Sequence, residues 1–225
     1  MLLDPDNQYI RTINAHAPLA GKLVLEIGCG DGRITRDLAN HADQVVATDL
    51  SPTILEKARY NVRENNVEFL LIPDGFADLP PQSFDLVIYT LSLHHIPQNK
   101  MVDNLNHSGR LLKDRGKIIV IEPGNRGSYL EVKNRFGAGS GDESVVKAAA
   151  ITAMKSLDNW KLSPTYHFSV GFLFTDPADF YSNKLPEHHK LPAEKRAELQ
   201  FILQQHTETR GIILYSERHM NLLSR

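Results

Sequence analysis

Cysteine is all but missing from this chain: of 225 residues only Cys29 carries a thiol, so no internal disulfide can form, and a reducing compartment suits it. A dominant charge is missing as well. Lysine and arginine number 25 against 27 acidic residues, a formal net charge of −2 with no long basic block, which argues against non-specific binding to nucleic acid or to an anionic membrane. Long apolar runs are lacking, since no stretch approaches the ~18 residues that a membrane-spanning helix needs. Met1 to Asp6 offer neither the basic nor the apolar region of a secretion signal. These absences predict a cytoplasmic protein without a membrane span. What is present, 41% apolar residues in a chain of this length, suffices for one full α/β domain and is too little for two of ordinary size.

The chain is organised around residues 23–33. Leu23, Val24 and Leu25 form a short apolar run of the kind seen in a strand covered on both faces. Gly28, Gly30 and Gly32 then interrupt it at alternate positions, and Ile34, Leu38 and Ala39 resume at a helical period. A strand, a glycine turn and a helix start deliver backbone N–H groups to polar ligand groups, as nucleotide-type sites do.

Strand and helix alternate through the first half. Tyr9, Ile10 and Ile13 predict a short leading helix; Gln44 to Asp49 predict a second strand ending in a carboxylate. Ser51 and Pro52 open a helix as N-cap and first helical residue, with Ile54, Leu55, Ala58 and Val62 as its buried stripe. Val67 to Ile72, Phe84 to Tyr89 and Lys117 to Glu122 read as further strands, and Met101 to Leu112 as a helix. Such alternation means parallel strands whose ligands bind beyond their carboxyl ends. The second half reads less regularly. Residues Arg126 to Gly141 form a polar, glycine-bearing lid or surface loop, followed by a helix over Glu143 to Trp160, a strand over Tyr166 to Phe174, helices over 176–181 and 193–206, and a last strand over Gly211 to Glu217.

The glycine loop departs from the dinucleotide fingerprint, because Arg33 stands where its third glycine would fall, and Glu26 adds a carboxylate two residues before Gly28. A carboxylate there suits a cationic ligand better than a pyrophosphate. The pattern E-x-G-x-G-x-G resembles the first motif of class I S-adenosylmethionine (SAM)-dependent methyltransferases. Asp49, 21 residues after Gly28, then Asp78-Leu79-Pro80, Ser83-Phe84-Asp85-Leu86-Val87 and Leu93-His94-His95-Ile96 follow in the order of the branch that includes the ubiquinone and menaquinone C-methyltransferases. The match covers residues 9–123 closely and the rest loosely. Gly75 and Phe76 stand where many relatives carry Asp-Ala, with Asp74 one residue early, and Asp114-Arg115-Gly116 replaces Pro-Gly-Gly.

The resemblance implies an α/β, Rossmann-like, mostly parallel seven-stranded sheet with helices on both faces and an antiparallel last strand. It implies one domain over 1–225, with a SAM-binding core over 1–125, lid or substrate-side insertions over 126–210, and the last strand and tail over 211–225. SAM would be held by Glu26, Gly28, Cys29, Gly30, Asp49, Leu50, Asp74, Gly75, Phe76, Thr90 and Leu91, together with Tyr9 and Arg11. S-adenosylhomocysteine would be the product, and no metal is implied. His94 and His95 are the candidates for a general base, weighed against a purely structural role in their loop. Tyr9, Phe136, Tyr166 and Phe168 are candidate walls for a small-molecule acceptor. Asp85, at a strand start, reads as structural, and Cys29 as a small loop-filling residue. A tRNA methyltransferase, a non-catalytic SAM-binding protein and an NAD-dependent oxidoreductase are the alternatives.

Overall fold

The computed structural model describes residues 1–139 and 143–225. In chain order its first elements are β1 (Leu2–Leu3), α1 (Gln8–His16), β2 (Leu23–Ile27), α2 (Arg33–Ala39), β3 (Gln44–Asp49), α3 (Pro52–Asn61), β4 (Val67–Leu71) and β5 (Phe84–Thr90). There follow α4 (Gln98–Leu111), β6 (Leu112–Pro123), α5 (Ser128–Phe136), α6 (Ser144–Lys155), β7 (Lys161–Leu162) and β8 (Tyr166–Phe174). The chain closes with α7 (Pro177–Lys184), α8 (Ala193–Gln205), β9 (Thr207–Glu208) and β10 (Gly211–Ser224). Short 3-10 turns lie at Leu93–His95 and His188–Lys190.

The chain divides into two compact units, each discontinuous in sequence. The larger holds residues 10–122, 144–166 and 219–225; the smaller holds 1–9, the described part of 123–143, and 167–218.

In the larger unit β2 pairs in parallel with both β3 and β5, β3 with β4, and β5 with β6, giving the order β6-β5-β2-β3-β4. The central strands have no solvent face. Leu25, Val87 and Ile118 to Ile121 are wholly buried, which is why they read as continuous apolar runs instead of alternating ones. Met101 and Leu105 of α4, with Ala150, Ala153 and Met154 of α6, join them in one core. The α3 start follows its local signals: Ser51 Oγ accepts the Ile54 N–H at 3.3 Å with Pro52 at the first helical position.

In the smaller unit β1 pairs antiparallel with β8, and β9 antiparallel with β10. Val132 and Phe136 of α5, Phe172 and Phe174 of β8, Phe180 of α7 and Leu199 and Leu203 of α8 form its core.

The α/β, mostly parallel Rossmann-like class is borne out, with ten strands among the described residues in place of seven, because β1, β7 and β9 are two-residue pairings below the length that periodicity detects. The stretch from Arg126 contains α5 where a loop or lid was expected, capped by Gly127 before it and by left-handed Gly137 (φ 74°) after it. Ser140 and Gly141, the far end of that stretch, lie outside the described residues. β6 starts five residues earlier than expected, since Leu112 pairs with Phe84 and so ends α4 at Leu111. Among the described residues no helix is long and apolar enough to cross a membrane.

Candidate functional site

A cavity of about 620 Å³ lies within the larger unit, at the carboxyl ends of β2, β3 and β5. Its size is that of an ordinary small-ligand pocket. The glycine loop forms its floor. Gly28 and Cys29 both donate their N–H to Thr48 O, at 2.9 and 2.8 Å, and the Gly30 N–H donates to Asp49 Oδ2 at 3.0 Å. Gly28 adopts φ +76°, and Gly32, at φ +86°, caps α2, so both lie in the left-handed region that a side chain disfavours.

Glu26 sits just under this floor, 1% exposed, and accepts the Thr35 hydroxyl at 2.6 Å. Burial pushes its carboxyl up to about 7, against the opposing pull of Thr35 and Arg33. Asp49, at the end of β3, accepts the Ser51 N–H at 3.0 Å in addition to that of Gly30. The far wall is a turn after β4: Asp74 Oδ1 accepts the Phe76 N–H at 3.1 Å, and Asn104 Nδ2 of α4 donates to Gly75 O at 2.7 Å. Tyr89, wholly buried, donates to Asn104 Oδ1 at 2.6 Å, so α4 holds the turn through a buried network. Leu50 lines the cavity while 57% exposed, an apolar surface that a ligand would cover.

Every cofactor candidate from Glu26 to Leu91 lines this cavity, as does His95. Two cofactor candidates are found elsewhere. Tyr9 belongs to the smaller unit, wholly buried, where Arg218 Nε donates to its hydroxyl at 2.6 Å and its ring meets Phe168 edge-on. Arg11 stands on the exposed side of α1. His94 is turned away as well: its Nδ1 bonds the Glu122 carboxylate, and its own N–H donates to Glu122 Oε1 at 3.3 Å. Of the candidate acceptor walls, Phe136 is in the smaller core and Tyr166 stacks on His16.

Sequence reading missed Thr35, Ser92, Asn104 and Glu122. Glu122 had the signal that singled out Asp49, a carboxylate closing a parallel strand; the other three had none. Asp85 has the structural place expected. Its partial burial favours the neutral form, yet the Leu23 N–H, Lys113 and Lys22 outweigh it and hold the carboxyl below the usual range.

Cys29 is 7% exposed, and burial, then the Glu26 and Asp49 carboxylates, push its thiol well above the ordinary value. It is therefore expected to alkylate with iodoacetamide at pH 8 at least about tenfold more slowly than free cysteine, and mass spectrometry of the adduct against time checks this.

The donor set tests whether SAM fits. Glu26, Asp31, Asp49 and Asp74 face Arg33 and Lys100 around the cavity, an acidic balance that favours a cation over a pyrophosphate. Thr90 Oγ1, in a cavity-lining residue 9% exposed, has no hydrogen-bond partner among the described residues, a buried polar atom that a bound ligand would satisfy. Both observations fit.

Residues 24–116 match the family model described as a methyltransferase domain, which bears out the sequence resemblance. The ubiquinone biosynthesis O-methyltransferase of Thiobacillus denitrificans is 34% identical over 125 residues, 54% of this chain and 53% of that protein. The chain spans about half the length of the curated relatives it matches. Among solved structures, a candidate type II methyltransferase from Anaeromyxobacter dehalogenans aligns with a TM-score of 0.66 at 17% identity, over 100% of this chain and 98% of that one. A phosphoethanolamine N-methyltransferase from Haemonchus contortus, solved with phosphoethanolamine and S-adenosylhomocysteine, aligns at 0.52 and 16% identity over 93% of this chain and 41% of that one. At these identities the two structures share the fold.

Proposed function

We propose that this chain, whose residues 24–116 carry a methyltransferase domain, transfers a methyl group from SAM to a small-molecule acceptor. The observation that carries the reading is the acidic cavity over a glycine loop: a nucleotide-type floor whose surrounding carboxylates outnumber its cations. Bound there, SAM supplies a methyl group already activated on a sulfonium. The protein's own tasks are then to hold, orient and keep water out, and proximity of this kind contributes most of the rate.

Asp49 is proposed to accept the ribose hydroxyls, using carboxylate lone pairs left over from its two backbone contacts. Gly75, Phe76 and Leu50 enclose the base. Glu26 and the Thr90 hydroxyl lie toward the amino-acid end, where a cationic ammonium favours an ionised carboxylate. The sequence lacks the Asn/Asp-Pro-Pro-Tyr run with which amino-group methyltransferases of adenine and glutamine grip their substrates; after Ile88 it reads Tyr89-Thr90-Leu91-Ser92. The relative from Thiobacillus supports an acceptor of small-molecule size.

Calorimetry with SAM and with NADH tests the assignment. SAM binding tighter than NADH is the expected result, and the reverse order would overturn it. Asp49→Ala is expected to weaken SAM binding about 10- to 150-fold, the ~1.5–3 kcal/mol of hydrogen bonds to a charged group. Unchanged affinity in that variant would mean the ribose sits elsewhere.

A further inference from the structure

A second cavity, of about 350 Å³, lies in the larger unit at the amino ends of β5 and β6, on the edge of the parallel sheet opposite the glycine loop. Its charge has the other sign. Arg110, Lys113, Arg115 and Arg225 line it, with Asp114 the one carboxylate side chain among its described lining residues, in a chain whose formal net charge is −2. Lys113 is already paired, since its Nζ donates to Asp85 Oδ2 at 2.9 Å. The three arginines have no carboxylate side chain as partner among the described residues. Arg110, at the end of α4, is not needed to close that helix either: the carbonyls of Arg110 and Leu111 already accept the N–H groups of Gln82 and Ser83, at 3.1 and 2.8 Å.

The backbone here departs from regular pairing. From Phe84 to Leu86 β5 advances two residues, while from Leu112 to Lys117 its partner β6 advances five, so Lys113 to Gly116 loop out of the ladder. Bulges of this kind re-aim side chains and gather next to functional sites. Arg115, inside the bulge, has φ +65°, and Gln82, in the same lining, has φ +56°. Glycine would adopt either conformation without strain. At Arg115 the sequence resemblance places that glycine, in the Pro-Gly-Gly that Asp114-Arg115-Gly116 replaces. An arginine held where it is strained, with a head group that meets no carboxylate, points to a use for that head group. Trp160 completes the wall: it lies so close to α4 that a Cβ on Gly109 would fall 2.3 Å from its Cζ2, and the Arg225 guanidinium stands 4.7 Å from its ring centroid.

We propose that this cavity binds a phosphorylated small molecule, gripped by the guanidinium groups of Arg110 and Arg115. Guanidinium forks match pairs of phosphate oxygens. A phosphate group carries about −1.5 to −2 charge at pH 7, and a diphosphate more, which answers several uncompensated cations better than the single charge of a carboxylate. The volume suits a small ligand, and the negative balance of the whole chain opposes a nucleic acid. This site shares no residue with the cavity over the glycine loop, so the inference stands apart from the methyl-transfer reading.

Trp160 is the sole tryptophan of the chain, so its fluorescence reports on this cavity. Inorganic diphosphate titrated into the full chain at constant ionic strength is expected to change that emission saturably, and sodium chloride to leave it unchanged. Arg110→Gln and Arg115→Gly are each expected to weaken diphosphate binding about 10- to 150-fold, the range for hydrogen bonds to a charged group. Arg115→Gly removes the strain along with the side chain, so its urea midpoint is expected to match or exceed that of wild type, which separates lost binding from lost folding. A lower midpoint in that variant would mean that the arginine serves the fold, and would overturn the proposal. Unchanged affinity in both variants overturns it, as does an emission that follows chloride as well as diphosphate. The absence of any saturable response to diphosphate, or a response to an RNA hairpin alone, overturns it too.

Discussion

Gly28→Ala is expected to destabilise the fold by about 2–5 kcal/mol, while Gly30→Ala, two residues away in the same loop, costs only about 1–2 kcal/mol. Both glycines have positive φ, +76° and +57°, so a side chain at either carries the left-handed penalty of about 1–2 kcal/mol. They differ in surroundings. A Cβ on Gly28 would fall 2.6 Å from Ser92 Cβ, whereas one on Gly30 meets nothing within 4 Å. Ser92 cannot swing aside freely, because its hydroxyl donates to Ile27 O at 2.5 Å and the residue is only 9% exposed. The overpacking therefore adds a further ~1–3 kcal/mol at Gly28 alone. Urea denaturation of the two variants checks this, and equal losses would mean that Ser92 does not confine the loop.

The second large effect concerns Glu26 and grows with pH. Its carboxyl titrates at about 7 in the folded chain against 4.5 for the unperturbed group, chiefly because burial disfavours the anion. Between those values the folded state keeps a proton that the unfolded chain has released. The stability linked to that proton is complete below pH 4.5 and is lost as pH rises through 7, an amount of about 3 kcal/mol. Glu26→Gln has no proton to lose and can still accept the Thr35 hydroxyl. The variant is thus expected to be more stable than wild type by up to about 3 kcal/mol at pH 8, the gap closing toward pH 4.5. Denaturation at pH 5 and pH 8 checks it; a gap independent of pH would mean that the carboxyl is not desolvated. The same variant is expected to bind SAM more weakly. In wild type at pH 7, binding an ammonium beside Glu26 should expel about half a proton, read as a dependence of the calorimetric heat on the buffer's ionisation enthalpy.

Local rules in the sequence were enough for much of the floor of the site. The glycine loop, the strand-end position of Asp49 and the Ser51-Pro52 helix start all follow from backbone geometry over a few neighbouring residues. α5 was hidden because Gly127 and Gly137, read as loop residues, are the punctuation at its two ends, while Val132 and Phe136 inside it keep the i, i+4 spacing of a buried face. Long-range partners were out of reach. The sequence marks Tyr9 as a cofactor contact and a candidate acceptor wall, but the partner of its hydroxyl, Arg218, lies 209 residues away. Which of the two adjacent histidines meets a carboxylate depends on the register of β5 against β6, and no local pattern encodes that register.

The floor of the cavity is tied down by the chain itself, through the bonds from Gly28 and Cys29 to Thr48 and from Gly30 to Asp49. A receptor completed before anything arrives pays little ordering entropy on association, and it selects by shape. A spent cofactor differs from the fresh one only by a methyl group and a charge, so the same preformed floor welcomes both. On the methyl-transfer proposal, inhibition by its own product, and turnover paced by how quickly that product is cleared from solution, are the kinetic consequences expected of a loop so firmly built.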